Sequence, residues 1–599
     1  MADPTLPNPL KPKEEKFTME SRFLMFFLLM MVVLSITQYF YKPPVQPPGA
    51  KKVEAGAAGT SGATGATPTT SSPAGAAQPA ATAAAPPPKK PISVEPVAPT
   101  EASAESTVSI DTGVAKILLS NRGGGTVKSW VLTKFKEASE KPLDVVNPAG
   151  KGIIPQPLSY EFKGQQKPPV DLNQALFTQK VSDDGLSVEF DYSNGSVTAK
   201  KTLDFRKGSY LAELTSEVTV NGVMVPHFIG WRGGFGDDSV LKYYSSEKAV
   251  VYDSNARGWL SITPGKLEVK DPKDAKEGPI ESQGNFVFAG LQDQYFGLVF
   301  LPKANSIDLL SYGDKLKLPG TDDEEYHAGV AVGGEGLNRF TMFTGPKDID
   351  VLRATNPKLE SLIEWGFFGI VAKPLFLTMN WTFDHVTHNW GWAIVLVTFV
   401  INVVLFPFRL TSMKSAKKSA ALQPEMAKIK AKYKDLSIRD PKKAEENQEV
   451  MALYKKHGIN PVGGCVPMML QLPILYAFYT VLANIIEMRG ASWLWVHDLT
   501  RPETLAIRML PVLLLVTQFA TQRMTPPSPG MDPTQQKMMM FMPLIFGYIF
   551  YFQASGLVLY WLTSNLVGIL SQFVTNRMMP QPPAAPAIID VKPIAKRRK

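Results

Sequence analysis

The sequence predicts an α-helical polytopic membrane bundle with six spans, five of them in one core, and a large all-β sandwich domain on the outer side. Three observations predict this fold class. The chain contains six apolar blocks, each close to the roughly 20 residues that cross a bilayer. Short segments that alternate polar and apolar residues fill the region after the first block. The excess of 63 Lys and Arg over 54 Asp and Glu is concentrated beside the apolar blocks.

The first apolar block, Phe23–Phe40, predicts a signal-anchor helix over residues 23–41. It ends Thr37-Gln38-Tyr39-Phe40 without the small residues of a cleavage site, so we expect it to stay uncleaved. The polar residues 1–22 before it are predicted to be cytoplasmic. Residues 42–105 are rich in Pro and Ala and have few large apolar residues, which is typical of a flexible linker.

Residues 106–346 predict the all-β sandwich domain. Period-2 alternation is clear in Leu186–Tyr192 and Tyr210–Val218, and dipeptides such as Asn194-Gly195 mark tight turns. The two histidines of this region are isolated, and its glycine triplet lacks the strand-to-helix context of a phosphate loop. We therefore expect a structural domain or a surface that docks partners, and no catalytic site.

Residues 355–381 predict a helix that lies in the outer membrane interface. Apolar residues recur there with helical spacing, but Glu364 and Lys373 would make a poor span. His385 and His388 follow at a spacing that could suit a metal, although no third ligand is nearby. The single cysteine, Cys465, excludes an internal disulfide. We expect no metal and no cofactor.

The remaining spans form a core over residues 389–575. They are predicted at 389–408, 466–487, 508–524, 538–553 and 556–575. Residues 410–460 form a basic loop, and residues 576–599 form a basic tail. Since basic residues stay on the cytoplasmic side, both termini are predicted to be cytoplasmic and the β domain external.

The basic loop predicts a cytoplasmic hairpin of two helices, because apolar residues recur on one face of each half. Its candidate functional residues are Lys414, Lys417, Lys418, Lys428, Lys432 and Tyr454. Such a face would suit nascent chains, lipid headgroups or the ribosome. The alternative is a solvated charged helix that only obeys the positive-inside rule.

Polar residues recur inside the predicted spans and are candidates for a wet interior groove. They include Asn402, Gln471, Asn484, Gln518 and Asn565, with Arg409 two turns after the first. Polar side chains that face lipid are costly, so we expect these to face the bundle interior. Hydrogen bonding between helices is the alternative, and it would account for many of them.

The C-terminal third of the chain resembles the YidC/Oxa/Alb family of membrane-protein insertases. The residues that carry the resemblance are Leu422-Gln423-Pro424, Ile459 to Ile474, Trp495 to Leu499, Gln535-Gln536-Lys537, Phe541-Met542-Pro543, Ser555 to Trp561, and Ser564-Asn565. The N-terminal anchor and large β domain are similar to the form with a large periplasmic domain, found in bacteria with an outer membrane.

The resemblance implies a five-helix bundle around a hydrophilic groove that opens to the cytoplasm and to lipid. It implies insertion and folding of inner-membrane proteins, alone or with the Sec translocon (SecYEG and SecDF). The implied partners are nascent membrane proteins, the ribosome and anionic lipids, with no direct nucleic-acid contact. Tyr560 and Trp561 lie in a matching motif and join the groove candidates.

One position departs from the family pattern. The family usually has a cation, most often Arg, midway along the first bundle helix, and ungapped alignment on Phe406-Pro407 puts Asn402 there. We expect Asn402 to keep the groove wet and Arg409 to hold the positive charge at its mouth.

Two other function classes are less well supported. A solute or proton-coupled transporter usually has ionisable residues within its spans and internal repeats. A membrane peptidase would need a nucleophile with its base, paired carboxylates or a metal set at membrane depth. The sequence shows neither pattern, so we expect a protein that is not an enzyme.

Overall fold

The computed structural model describes residues 98–578, apart from residues 138, 165–166, 238, 240–246, 257–264, 304–306, 318–323, 434–441, 459–465 and 525–532. The predicted cytoplasmic N-terminus, the signal-anchor, most of the linker, Cys465 and nearly all of the basic tail therefore lie outside the described residues.

The first half of the described chain forms three antiparallel sheets. One contains β1 (Thr107–Asp111), β2 (Ala115–Ser120), β3 (Thr126–Lys136) and β4 (Pro142–Asp144), in that order. A second, five-stranded sheet has the order β14 (Ile280–Gly284), β17 (Ile307–Lys317), β18 (Glu324–Glu335), β11 (His227–Trp231) and β5 (Ser159–Glu161).

The largest sheet has ten strands. Its order is β13 (Lys266–Lys270), β12 (Lys248–Asp253), β15 (Phe286–Gln292), β16 (Phe296–Pro302), β19 (Leu337–Pro346), β9 (Leu211–Val220), β8 (Val197–Phe205), β7 (Ser187–Ser193) and β6 (Thr178–Val181), with β10 (Val223–Met224) on β9. Burial alternates along β8 and β9, because successive side chains point to opposite faces. The buried faces share one hydrophobic core, so the predicted large β domain of sandwich-like sheets is confirmed.

The chain joins these sheets before the predicted domain boundary at residue 106. Thr100 forms a β-bridge with Ser193, and Glu105 pairs with Arg122 at 2.8 Å. Residues 100–105 are mostly polar and carry no alternating pattern, so the sequence predicted that they belong to the linker. The two contacts explain why this stretch instead lies against the sheets.

A lysine occupies an inward position of the sheet core. Lys201 on β8 is fully buried, and its Nζ donates to the Leu158 carbonyl at 2.6 Å and the Gly123 carbonyl at 3.3 Å. It also lies 4.0 Å from the centroid of the Tyr160 ring. Burial lowers the pKa of Lys201 to about 7, since the charged form loses its hydration.

The glycine triplet 123–125 is explained by this core. Gly124 has a φ of +62°, and a Cβ there would lie 2.8 Å from the Phe177 ring. Only glycine permits both this conformation and the close approach. The triplet is therefore a structural turn that also presents a carbonyl to Lys201.

Three short elements connect the sheets to the bundle. They are α1 (Ile349–Thr355), a 3-10 turn (Pro357–Leu362) and α2 (Gly369–Thr382), followed by a π turn (Phe383–Thr387). The predicted continuous helix over 355–381 is thus interrupted, and Gly366 adopts a φ of +66° in the gap. One side of α2 is buried, whereas Ile370 is 87% exposed and Trp381 is 57% exposed.

The second half of the described chain is helical. It contains α3 (Trp390–Ala421), α4 (Gln423–Lys432), α5 (Lys442–Lys456), α6 (Val466–Asn484), α7 (Met509–Met524), α8 (Pro533–Tyr551) and α9 (Ser555–Met578). Among the described residues, α3 and α9 are long and apolar enough to cross a membrane by length and composition. The six-span count stays a prediction, since α6 and α8 have shorter apolar stretches and α7 has 16 residues.

Helix α3 runs past the predicted end of its span at residue 408. Asn389 caps its start by accepting from the Gly391 and Trp392 amides, and the helix continues through Pro407 to Ala421. The helix ends at Leu422, which leaves helical geometry, and Pro424 lies in the first turn of α4, where its missing N–H costs no helical hydrogen bond. Residues 410–421, predicted as hairpin, therefore belong to the long helix.

Helices α4 and α5, which follow α3 in the chain, pack against each other. Their contact is a small apolar cluster of Leu422, Met426 and Tyr454, with Val450 and Leu453 against it. Tyr433 donates to Glu449 at 2.9 Å across the pair.

The loop after α6 attaches the bundle to the sheets; we call this contact the outer junction. Glu487 Oε1 accepts from the Ile349 amide at 3.0 Å. Arg489 forms a buried ion pair with Asp237 and donates to the Lys136 carbonyl at 2.8 Å. Each bond joins a residue of the loop to one of the β region or of α1, so both halves share one buried framework.

We predict that the stability of the β region rises with pH between about 7 and 10. The unfolded chain keeps the Lys201 proton up to about pH 10, whereas the folded side chain releases it above about pH 7. The unfolded state therefore binds more protons in this window, and each pH unit adds up to about 1.4 kcal/mol to the free energy of unfolding.

Pulse proteolysis in urea, followed on fragments of the β region, measures this slope. Lys201→Met should reduce the slope, and Lys200→Met on the exposed face should not. Burial also lowers the pKa of Lys347 and of Lys270, so part of the slope should remain. Burial lowers the pKa of His227 to about 4, so that residue titrates outside the window. An unchanged slope in Lys201→Met would contradict the assignment.

Candidate functional site

Buried and half-buried polar side chains meet between α3, α6 and α9; we call this group the central cluster. It consists of Asn402 and Arg409 from α3, Gln471 from α6, and Tyr560 and Ser564 from α9. Tyr560, Ser564 and Gly568 recur every four residues, which places them on one face of α9. The sequence therefore contained the signal for Gly568, which the motif analysis missed.

Asn402 links α3 to α9. It is only 4% exposed, its Nδ2 donates to the Thr398 carbonyl at 2.8 Å, and its Oδ1 accepts from the Ser564 hydroxyl at 3.3 Å. The interhelical hydrogen bond that was the alternative interpretation of Asn402 is thus present. An amide still has further bonding capacity after these two contacts.

Arg409 points toward α9 rather than away from the bundle. A Cβ on Gly568 would lie 3.2 Å from Nη1 of Arg409, so the glycine leaves room for the guanidinium. The same Nη1 is buried and has no hydrogen-bond partner among the described residues. The guanidinium also interacts electrostatically with Tyr560, two turns further toward the start of α9.

Tyr560 connects this charge to α6. It is fully buried, its hydroxyl accepts from the Gln471 amide, and its ring stacks on Phe478 with centroids 4.1 Å apart. The structure therefore brings together four of the groove candidates, namely Asn402, Arg409, Gln471 and Tyr560, from three helices.

A second group, the flanking cluster, lies between α7 and α9. Asn565 Nδ2 donates to Gln518 Oε1 at 2.8 Å and to the Thr517 hydroxyl at 3.4 Å. The indole of Trp561 donates to the same Gln518 oxygen at 3.4 Å and packs on Phe550 of α8. Three further groove candidates thus meet here, on the adjacent face of α9.

Asn484 lies away from both clusters. It is the last residue of α6, and its Nδ2 donates to the Glu364 carbonyl at 2.9 Å beside the outer junction.

The hairpin candidates differ in their surroundings. Tyr454 is buried in the apolar contact of α4 and α5, and Lys432 pairs with Glu449. Lys417 is half-buried on α3 and donates to the Thr575 carbonyl of α9 at 3.4 Å. The other three candidates are exposed: Lys414, Lys418 and Lys428.

The site is suited to reversible polar contacts. Its groups are amides, hydroxyls and one guanidinium, which donate and accept hydrogen bonds but include no activated nucleophile beside a base. Within the described residues, no group of three or more His, Cys, Asp or Glu could hold a metal ion. His385 stacks on Trp381 and bonds to its carbonyl at 3.0 Å.

Comparisons with known proteins cover both halves of the chain. Residues 381–582 match the family described as 60Kd inner membrane protein, and residues 107–378 match the YidC periplasmic domain. A crystal structure described as an active YidC insertase with the first transmembrane domain resolved is 18% identical, with a TM-score of 0.34, over 80% of this chain and 95% of that chain.

Three relatives are described as membrane protein insertase YidC. The one from Citrifermentans bemidjiense is 31% identical, over 78% of this chain and 85% of its own. The Campylobacter jejuni relative is 31% identical over 80% and 86%, and the Ralstonia nicotianae relative 34% over 66% and 69%. The resemblance predicted from the motifs is confirmed, and the chain belongs to the YidC family of membrane protein insertases.

Proposed function

We propose that this protein inserts proteins into the bacterial inner membrane and assists their folding, with nascent membrane proteins as its substrates. The observation that carries the proposal is the central cluster, where the half-buried Arg409 lies among amides and hydroxyls inside an apolar bundle, with its buried Nη1 lacking a hydrogen-bond partner among the described residues. Polar groups at such a depth serve a function more often than they stabilise the fold. Membership of the insertase family supports the same activity.

The physical task of an insertase is to lower the barrier for polar segments. Each unpaired polar group in hydrocarbon costs several kcal/mol, so a translocating tail needs partners on its way. The central and flanking clusters offer such partners on neighbouring faces of α9. We propose that they line a hydrophilic groove that opens to the cytoplasm and to lipid, with Arg409 as its cation.

Transport of a solute coupled to protons is not favoured. The bundle helices α3, α6, α7, α8 and α9 contain no Asp, Glu or His. A proton-coupled carrier needs a side chain that changes its charge near physiological pH, and arginine does not. The relatives are named insertases, which also points away from an enzyme.

The proposed topology has six spans, both termini in the cytoplasm and the β region in the periplasm. The exposed Lys414 and Lys418 at the end of α3 and Lys428 on α4 would then face anionic lipid headgroups and the ribosome. Contact with SecYEG and SecDF belongs to the same proposal.

Single-cysteine labelling tests the topology in intact cells, on a Cys465→Ser background. Cysteines at Ala57 and Ser492 should react with an impermeant thiol reagent added from outside, and one at Ser437 should not. Ser437 should react only after the membrane is opened. Labelling of Ser437 in intact cells would refute the cytoplasmic hairpin.

The role of Asn402 is tested by a matched pair. Asn402→Leu and Ser564→Ala both remove the bond between α3 and α9, which is worth about 1 kcal/mol. Only Asn402→Leu also removes the amide. We expect Asn402→Leu to reduce insertion of a single-span reporter about tenfold, equivalent to about 1.4 kcal/mol, and Ser564→Ala to retain it. Equal effects would show that Asn402 serves only as a link between helices.

The position of the cation is tested by moving it. Arg409→Leu should impair reporters with acidic translocated segments more than neutral ones, because Coulomb attraction is strong where water is scarce. Asn402→Arg with Arg409→Leu should restore them, since the new guanidinium can occupy the vacated space. Phe408→Arg with Arg409→Leu is the control, because Phe408 is 55% exposed on another face. Rescue by this control would mean that net charge alone matters.

A further inference from the structure

A lateral groove runs between the first turns of α3 and the middle of α9, on the outside of the bundle. Its volume is about 510 Å³, and its walls include Trp392, Leu396 and Phe399 of α3 and Leu566 of α9. These four side chains are between 37% and 51% exposed. The groove lies apart from the central cluster, where Asn402 and Ser564 close the same two helices together.

The groove selects an apolar occupant. Its two threonine hydroxyls already donate to backbone carbonyls: Thr563 to Leu559 at 2.8 Å, and Thr387 to Asn389 at 3.1 Å. Its remaining lining is aliphatic or aromatic. A polar segment would lose its hydration there without gaining a partner.

The chain itself supplies an apolar segment of the right kind, Phe23–Phe40, which lies outside the described residues. We propose that the groove between α3 and α9 receives the outer half of this segment. The proposal uses the orientation of the proposed topology. Residues 41–97 connect the segment to the β region, so docking is intramolecular and is favoured by a high effective concentration.

Depth supports the match. Helix α3 begins at Trp390, so Trp392 to Phe399 lie about 3 to 14 Å from its outer end, at 1.5 Å per residue. The helix that the sequence predicts for the segment would place Thr37 about 5 Å and Val32 about 12 Å inward from Phe40. The two ranges coincide when both outer ends lie at the same interface.

Side-chain size supports it as well. The segment carries its small and β-branched side chains between residues 32 and 37, including Val32, Val33, Ser35 and Thr37, and Tyr39 and Phe40 follow at its outer end. Its inner half carries Phe23, Phe26 and Phe27. Small and β-branched side chains let helices in lipid approach closely, whereas the bulky phenylalanines of the inner half would keep it from packing closely against α3 and α9.

Disulfide cross-linking in native membranes tests the docking. On the Cys465→Ser background, Ser35→Cys is paired with Leu396→Cys, or with Val516→Cys as the control. Val516 lies at a similar depth in α7 and is 59% exposed. A protease site in the linker near residue 60 turns an intramolecular disulfide into two fragments that separate only on reduction. The pair with Leu396 should give about ten times the yield of the pair with Val516.

A blocked groove gives the second measurement. Leu566→Trp, added to the Ser35–Leu396 pair, should lower the cross-link yield severalfold. The variant should still support growth of cells that are depleted of the native protein. Equal yields for the two pairs, no cross-link to either, or no effect of Leu566→Trp would overturn the proposal and leave lipid or substrate as the occupant. Ser35 cross-linking instead to a cysteine at Phe573, near the inner end of α9, would refute the topology and not the docking face.

Discussion

The structure depends on how polar groups are enclosed between α3 and α9. Asn402 bonds to Ser564, and Gly568 makes space for the Arg409 guanidinium, so one face of α9 meets both Asn402 and Arg409 of α3. Without these contacts, an amide and a charge would face hydrocarbon, which costs several kcal/mol for each group. The proposed groove, the lateral groove and the path of α3 toward the hairpin all follow from this pairing of two helices.

The β region is joined to that bundle by burial as well as by polar bonds. A single hydrophobic cluster extends from Phe288, Val299 and Phe343 on the sheets to Leu475 and Phe478 on α6. Phe478 in turn stacks on Tyr560 of the central cluster. The outer junction adds the buried pair of Arg489 with Asp237. Core contacts therefore form a continuous path from the sheets to the polar site.

The fold class could be predicted because its signals are periodic and long. Alternating strands and apolar blocks appear directly in the sequence, and the insertase motifs supplied the family. The limits of elements were harder to predict: the apolar span was expected to end at residue 408, yet α3 continues through Pro407 to Ala421. The partners of Asn402 and Arg409 depend on which face of α9 meets α3, and this is set by tertiary packing.

The clusters show the same limit. Asn484 and Gln471 lie on the same helix and look alike in sequence, but one lies beside the outer junction and the other bonds Tyr560. Lys201 is the clearest case. From the sequence, a lysine would be assigned to the exposed face of β8, and its buried position is explained by the carbonyls of Leu158 and Gly123 that accept its hydrogen bonds. Such convergence of distant loops leaves no local signal.

Because α3 is continuous, it mechanically links the central cluster to the hairpin. About 20 Å of helix separates Arg409 from the hairpin contact at Leu422. Pro407 lies just on the other side of Arg409 and removes one backbone hydrogen bond, so it is the softest point of the rod and a natural fulcrum. A sideways load on the hairpin, from whatever binds there, would turn the lower arm about this point. Such a movement would break the contact of Lys417 with the Thr575 carbonyl and shift the Arg409 side chain relative to α9, while Asn402, on the other side of Pro407, stays bonded to Ser564.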